Sequence, residues 1–179
     1  MRRVVAVLVV LSFMMMPGVR ALAATECNGL ITGSISGGLV VRSGDVCDLE
    51  GATITGGVHM SGGRLQACSS TISGGFIATG GNCVILGKET EEDSIPCGGD
   101  TINGGVNLTN IVGASCGIEN VEIQASNITG GAQLKNNGEV ELEGNTISGG
   151  LHCSGNSGIT FDFLHNTVTG GEDGQCVGF

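Results

Sequence analysis

A five-residue motif recurs along the chain, in which an Ile or Val lies between two small polar residues and two glycines follow. The copies begin at Ser34, Thr53, Thr71, Thr101, Asn127, Thr146 and Thr167. Their first glycines are separated by 19, 18, 30, 26, 19 and 21 residues. A unit that recurs at roughly 20 residues is typical of a solenoid, in which each repeat packs against its sequence neighbours.

Apolar and polar residues alternate on both sides of the paired glycines, as in strands whose side chains point to opposite faces. In the sixth copy Ile147, Leu151 and Cys153 alternate with polar residues around the Gly-Gly corner, and a similar run over 140–144 precedes them. Each repeat therefore contains about three short strands. Stacking the repeats predicts two inward ladders of apolar side chains. The first contains Ile35, Ile54, Ile72, Ile102, Ile128, Ile147 and Val168, and the second contains Leu39, Val58, Phe76, Val106, Ala132 and Leu151.

This pattern predicts an all-β fold: a single-stranded right-handed parallel β-helix of about seven coils, stapled by disulfides. Parallel strands joined by crossover connections favour the right-handed sense. The alternatives are a sandwich of hairpins, a disordered glycine-rich chain and a left-handed helix with a six-residue repeat. Hairpin turns would not return one motif to the same place seven times. Regular β-branched positions and low charge argue against disorder, and no six-residue period is present.

Two interruptions lengthen the repeat. Residues 88–99 carry an acidic run without alternation, which predicts an insertion that loops out of the stack, and the coil that holds residues 110–117 is also enlarged. Neither interruption indicates a second domain, so residues 24–179 are expected to form one β-helix domain.

The N-terminal segment is typical of a cleaved signal peptide over residues 1–23. Arg2 and Arg3 precede an apolar run over 4–16, and residues 21–23 form an Ala-Leu-Ala cleavage site. An uncleaved anchor is the alternative, but the run is short for a bilayer span. The protein is therefore expected to be secreted, extracellular or on the cell surface, with no membrane span after cleavage.

Composition limits the partners. The full chain has a net charge of −10, and loss of the three arginines of the signal peptide leaves four basic against 17 acidic residues, a net charge of −13. Such a surface repels nucleic acid and anionic membranes and favours a soluble monomer. Trp and Tyr are absent, and tight protein interfaces and sugar sites commonly use aromatic rings. An envelope or polysaccharide surface remains a possible partner.

Eight cysteines in an exported chain predict disulfides. Cys27 and Cys47 lie 20 residues apart and fall at matching places in adjacent coils. Cys153 and Cys176 lie 23 residues apart, after the last two Gly-Gly corners. These two links are predicted to staple the ends of the stack.

The pairing of the four middle cysteines stays open among three combinations. Cys83 and Cys97 bracket the acidic insertion and could close it. Cys68 and Cys116 would then pair by default, but they are expected about two coils, or ~10 Å, apart, which is too far for an undistorted bridge. Buried free thiols are the alternative for Cys83 and Cys116.

At this level of detail the chain resembles right-handed parallel β-helix repeat proteins, and more narrowly small exported bacterial glycine-rich β-helix proteins of unassigned function. Residues 27–179 carry the resemblance, including Leu151–Asn156 and the terminal Gly174-Gln175-Cys176. A resemblance in repeat pattern implies the fold far more than a function.

Many right-handed β-helix proteins are polysaccharide lyases or hydrolases. Those reactions need clustered carboxylates, usually with Arg or Lys, or bound Ca²⁺. The outward positions of this chain carry no such cluster, and His59 and His152 share a register but lie four coils apart. We therefore expect no catalytic residues, no enzymatic activity and no cofactor.

Two acidic runs carry weaker signals. Glu139, Glu141 and Glu143 alternate on one strand and are expected to form a solvated outer face. The densest run is a weak Ca²⁺ candidate, although it lacks the alternating order of a dedicated calcium loop. Its residues are Glu89, Glu91, Glu92 and Asp93.

One outward array is a candidate binding face. The residues that flank each inward Ile or Val point outward together, in two ranks of hydroxyl and amide groups ~7 Å apart along the strand and ~4.8 Å apart between coils. The pairs are Thr53/Thr55, Thr71/Ser73, Thr101/Asn103, Asn127/Thr129, Thr146/Ser148 and Thr167/Thr169. The array resembles the Thr-x-Thr ice-binding face of β-helical antifreeze proteins. Ser and Asn interrupt its Thr ranks, however, and the two longer coils could break its flatness.

The sequence thus predicts a secreted, non-catalytic β-helix that acts as a structural or cell-surface interaction module. The alternatives are an ice-binding protein that uses the outward ranks and a polysaccharide-active β-helix. Thr and Asn ladders also suit the strands of a β-helix without any ligand.

Overall fold

A computed structural model describes residues 23–87, 97–114, 117, 119–161 and 164–178, which contain 22 short strands and no helix. The first eleven strands are β1 (Thr25–Glu26), β2 (Gly29–Ile31), β3 (Ser34–Ser36), β4 (Leu39–Val41), β5 (Val46–Glu50), β6 (Thr53–Thr55), β7 (Val58–Met60), β8 (Arg64–Cys68), β9 (Thr71–Ser73), β10 (Phe76–Gly81) and β11 (Cys83–Leu86). The others are β12 (Thr101–Asn103), β13 (Val106–Ile111), β14 (Val121–Gln124), β15 (Asn127–Thr129), β16 (Ala132–Lys135), β17 (Glu139–Glu143), β18 (Thr146–Ser148), β19 (Leu151–Ser154), β20 (Gly158–Thr160), β21 (Thr167–Val168) and β22 (Glu172–Gly174).

The strands form three sheets, and every strand pair is parallel. Sheet A has the order β1-β4-β7-β10-β13-β16-β19-β22, sheet B has β2-β5-β8-β11-β14-β17-β20, and sheet C has β3-β6-β9-β12-β15-β18-β21. Neighbours within a sheet are three strands apart in sequence, so the chain visits sheets B, C and A in turn. The predicted parallel β-helix of about seven coils is therefore confirmed.

The core is the narrow space between the three sheets, and both predicted ladders line it. Ile72, Ile102 and Ile128 pair in register across sheet C, and each is at most 2 % exposed. The sheet A ladder from Leu39 to Leu151 is equally buried. Ile35 and Val168 are only partly buried, because the terminal coils have a neighbour on one side only.

Glycine pairs turn the chain from sheet C into sheet A. At one such corner the carbonyl of Asn103 accepts the N–H groups of both Gly74 and Gly75, each at 2.8 Å. Gly75 has a φ of +83°, and a Cβ there would lie 2.7 Å from the carbonyl oxygen of Gly104 in the next coil. Only glycine satisfies both conditions, which explains why the motif ends in two glycines.

Polar side chains are stacked at the corner between sheets B and C. The residue just before each motif copy accepts a hydrogen bond from the backbone of the equivalent residue one coil earlier. The bonds run from Ala52 N to Ser70 Oγ, from Ser70 N to Asp100 Oδ1, from Asp100 N to Ser126 Oγ, from Ser126 N to Asn145 Oδ1 and from Asn145 N to Asn166 Oδ1. We call this set the corner ladder.

A shorter ladder occupies the corner between sheets A and B. Ile111 N donates to Asn137 Oδ1 at 3.0 Å, Asn137 N to Asn156 Oδ1 at 2.9 Å, and Asn156 N to Gln175 Oε1 at 2.8 Å. These buried amides satisfy backbone groups that would otherwise lack partners where the strands end. The alternation of apolar residues did not indicate either ladder.

The end disulfides follow the prediction from spacing. Cys27 is bonded to Cys47 and Cys153 to Cys176, with Cα–Cα distances of 5.4 and 5.3 Å. Each bond joins one terminal coil to its only neighbour.

The middle disulfides correct the sequence analysis. Cys97 is bonded to Cys68, so its predicted link to Cys83 is wrong, and so is the default link between Cys68 and Cys116. Gly87 N donates to the carbonyl of Ala67, which places the start of the insertion beside Cys68. Cys83 is itself disulfide-bonded, so it is not a free thiol, and Cys116 lies outside the described residues.

Some sequence predictions fall outside the described residues. They include the predicted signal peptide over residues 1–22 and most of the acidic insertion, with the Ca²⁺ candidates Glu89, Glu91, Glu92 and Asp93. The part of the chain that is described contains no helix with the length and hydropathy needed to cross a bilayer.

Candidate functional site

The outer surface of sheet C, here called the polar face, carries two ranks of uncharged polar side chains. The first rank contains Ser34, Thr53, Thr71, Thr101, Asn127, Thr146 and Thr167, and the second contains Ser36, Thr55, Ser73, Asn103, Thr129, Ser148 and Thr169. Thr71 and Ser73 are half-buried and all other members are exposed. The structure therefore brings together every residue that the motif predicted for this face, and it adds Ser34 and Ser36.

The two longer coils leave the polar face continuous. Thr71 pairs directly with Thr101, and Ser73 with Asn103, although the insertion separates them in sequence. The insertion leaves the stack after Gly87, at the corner between sheets B and C, and the second enlargement follows Ile111, between sheets A and B. The expected break in flatness at the insertions is therefore wrong.

The charge of the protein lies largely on another surface. The outward side chains of sheet B include Asp48 and Glu50 on β5, Glu122 on β14, and Glu139 and Glu141 on β17. Both ranks of the polar face lack ionisable groups. A ligand on this face would meet hydroxyl and amide groups and no ion-pairing partner.

The hydroxyls of the second rank are engaged within the fold. Thr55 Oγ1 donates to the carbonyl of Ile35 at 3.3 Å. Thr129 Oγ1 lies 3.4 Å from the carbonyl of Ile102 and 2.7 Å from Asn103 Oδ1. Thr169 Oγ1 donates at 3.5 Å to the carbonyl of Ile147, which also accepts the Thr169 N–H.

The first rank differs in this respect. None of its hydroxyl or amide groups bonds to another residue within the described ranges through its side chain. Its side chains are thus available to solvent or to a ligand, although the strands place both ranks on one surface.

A shallow groove runs beside the polar face, along the Gly-Gly corner. Its volume is about 400 Å³, with glycine backbone from three coils as its floor and Ile77, Asn107 and Gln133 of sheet A as one wall. The groove exists because the corner glycines carry no side chains. It contains no ionisable group.

Asp100, a member of the corner ladder, is the main buried ionisable group that the sequence analysis missed. Its Oδ1 accepts Ser70 N at 2.7 Å and its Oδ2 accepts Gly87 N at 2.8 Å. Burial raises the pKa of Asp100 from 3.8 to about 6, and the two backbone hydrogen bonds oppose this effect. The side chain joins the two ends of the insertion to the stack, which is a structural role.

Two other acidic residues also have partners that the sequence did not indicate. Glu143 was expected on a solvated face, but it is 3 % exposed and accepts the N–H of Leu164 at 2.9 Å. The segment after β20 covers it, so that part of the prediction is wrong. Asp173 contacts Nδ1 of His152 in the preceding coil.

Among the described residues, no three His, Cys, Asp or Glu side chains are grouped so that they could hold a metal ion. No protein family, characterised protein or solved structure matched the chain in comparisons. The polar face is therefore argued from its own geometry.

Proposed function

We propose that this protein is a secreted, non-catalytic β-helix that acts as a structural or cell-surface interaction module through its polar face. The supporting observation is the unbroken register of sheet C, in which seven strands expose two polar ranks and no charge. The described disulfides are typical of proteins in oxidising compartments, which agrees with export.

The scaffold is suited to presenting a repeated surface. The corner ladder, the glycine corners and the disulfides hold each coil against its neighbours, so the polar side chains are ordered before any ligand arrives. Ordering in advance lowers the entropy lost on binding. Single contacts with hydroxyl groups are weak, but a periodic partner would engage many of them together.

Co-sedimentation with the cell envelope of the native host tests this function. The test variant carries Thr101→Lys and Thr146→Lys, which place two charges on the polar face. The control carries Asn107→Lys and Gln133→Lys on the outer face of sheet A, so both proteins gain the same charge. We expect the test variant to lose co-sedimentation and the control to retain it. Equal retention by both variants would refute a role for the polar face.

A second candidate, ice binding, is favoured by one observation: the hydroxyl array crosses both insertions without a break in register. Thermal hysteresis and ice recrystallisation assays test it directly. Activity in the wild type that is lost in the Thr101→Lys, Thr146→Lys variant would make ice the ligand. No contact among the described residues favours the polysaccharide-active alternative.

A further inference from the structure

We infer that the two ranks have different roles: the first rank binds a flat, ordered array of hydroxyl groups, and the second rank holds adjacent coils together. This inference rests on the proposed function of the polar face and assigns the partner's chemistry and the contacting residues.

The second rank has the contacts of a structural element. Each of its three threonines donates to the carbonyl of the inward Ile in the preceding coil, with Oγ1–O distances of 3.3 Å for Thr55, 3.4 Å for Thr129 and 3.5 Å for Thr169. The backbone carbonyls of the same rank accept the glycine N–H groups of the preceding corner, as Thr129 does for Gly104 and Gly105. A ligand would have to compete with these bonds for the hydroxyl donors.

The first rank has the contacts of a free surface. Five of its seven members are threonines, and their hydroxyls bond to no described residue. A hydroxyl that both donates and accepts can match another hydroxyl in either role. The strands space these groups at ~4.8 Å between coils, so a partner with a regular surface could engage several at once.

The properties of the face restrict the partner's chemistry. Without charge on either rank, the face offers a phosphate, carboxylate or ammonium group no ion pair. Without aromatic side chains, it lacks the anchors of most protein interfaces. A flat surface cannot enclose a small molecule as a pocket does. An uncharged lattice of hydroxyl groups fits all three restrictions, and both ice and a crystalline neutral polysaccharide present one.

The test compares two pairs of Thr→Val substitutions, which remove a hydroxyl and nearly keep the shape of the side chain. The first-rank variant carries Thr101→Val and Thr146→Val, and the second-rank variant carries Thr55→Val and Thr129→Val. Binding is measured by partition into growing polycrystalline ice and onto microcrystalline cellulose, and stability by Tm. The probe that the wild type binds identifies the source of the lattice.

We expect the first-rank variant to keep the wild-type Tm and to lose binding by at least about tenfold, as the loss of two hydrogen bonds implies. The second-rank variant should show a lower Tm and binding within about twofold of wild type. Thr55→Ser with Thr129→Ser keeps both hydroxyls and should restore the Tm, which separates the loss of these bonds from a general folding defect.

Two outcomes would overturn the inference. One is a second-rank variant that loses binding at unchanged Tm, or a first-rank variant that keeps it. The other is a wild-type protein that binds neither probe. If that protein still co-sediments with its envelope through the polar face, the proposed function stands and only the assigned partner chemistry is wrong.

Discussion

The carboxylate of Asp100 accepts the backbone N–H of Ser70 at 2.7 Å, although 30 residues separate the two in sequence. The insertion adds most of that separation, yet the two residues occupy the same place in adjacent coils. Asp100 thereby continues the corner ladder across the longest interruption of the repeat. In the shorter coils Asn145 and Asn166 fill this place. The ladder accommodates either acid or amide, but only the acid titrates.

Asp100→Asn should remove a pH dependence of stability. Because burial raises the folded pKa to about 6 from 3.8, the folded state binds this proton more tightly than the unfolded state does. The stabilisation is complete below about pH 4 and is lost as the pH rises through about 6. The free energy of unfolding of the wild type should therefore fall by about 3 kcal/mol from pH 4 to pH 7, relative to the Asn variant.

Urea unfolding across this pH range measures the difference. Asp100→Ala is the matched control, since Ala52 occupies the same ladder position. It leaves Ser70 N–H without its partner and should cost about 1–3 kcal/mol at every pH. Parallel pH profiles for the wild type and the Asn variant would contradict the buried titration.

Gly75→Ala should be far more destabilising than Gly44→Ala. Both glycines have similar positive φ values, +83° and +90°, so both substitutions carry the backbone strain of about 1–2 kcal/mol. A Cβ on Gly75 would also lie 2.7 Å from Gly104 O, whereas a Cβ on Gly44 meets nothing within 4 Å. The difference in free energy of unfolding isolates the close approach of the coils. Equal losses would mean that backbone angle alone explains the glycine pairs.

Ile128→Asp should unfold the middle of the stack. Ile128 is 2 % exposed and pairs with Ile102 and Ile147 in the ladder of sheet C, so a carboxylate there has no hydrogen-bond donor and should cost more than ~4 kcal/mol. Asn127→Asp, on the exposed side of the same strand, adds the same group to solvent and should change stability little. Thermal melts compare the two, and a native Tm for Ile128→Asp would place the ladder in the wrong register.

Replacing Cys27 and Cys47 together by Ser should loosen the first coil before the rest. A link that closes a 20-residue separation contributes roughly 3 kcal/mol through the unfolded chain. The first coil has one neighbour, so the loss should appear as fast hydrogen exchange over residues 25–41. The middle coils, around residues 101–135, provide the internal reference. Uniform acceleration of exchange in both regions would show that the stack opens as one unit.

The sequence predicted the repeated parts of this fold well. The inward Ile, the glycine pair and the outward polar residues recur at fixed offsets, so stacking alone placed Thr101 beside Thr71 and Ile102 beside Ile72. The end disulfides followed from the same period. These features depend on neighbours in adjacent coils, which the repeat makes visible.

The parts that escaped prediction depend on contacts outside the repeat. Glu143 is buried because a segment without repeat character covers it, which alternation along β17 cannot reveal. Cys97 bonds Cys68 because the insertion begins beside Cys68, whereas β11 separates Cys83 from that point by four residues, or ~13 Å. The unequal hydrogen bonding of the two ranks is a matter of side-chain rotamers, and the motif carries no trace of it.

The placement of both insertions away from sheet C has an evolutionary consequence. Each coil contacts only its immediate neighbours, so one unit can be duplicated or deleted without repacking distant parts of the chain. Such an event would lengthen or shorten the array by one row, about 4.8 Å, and would leave the chemistry of every other row unchanged. Related chains could therefore tune their valency by copy number while their loops diversify independently.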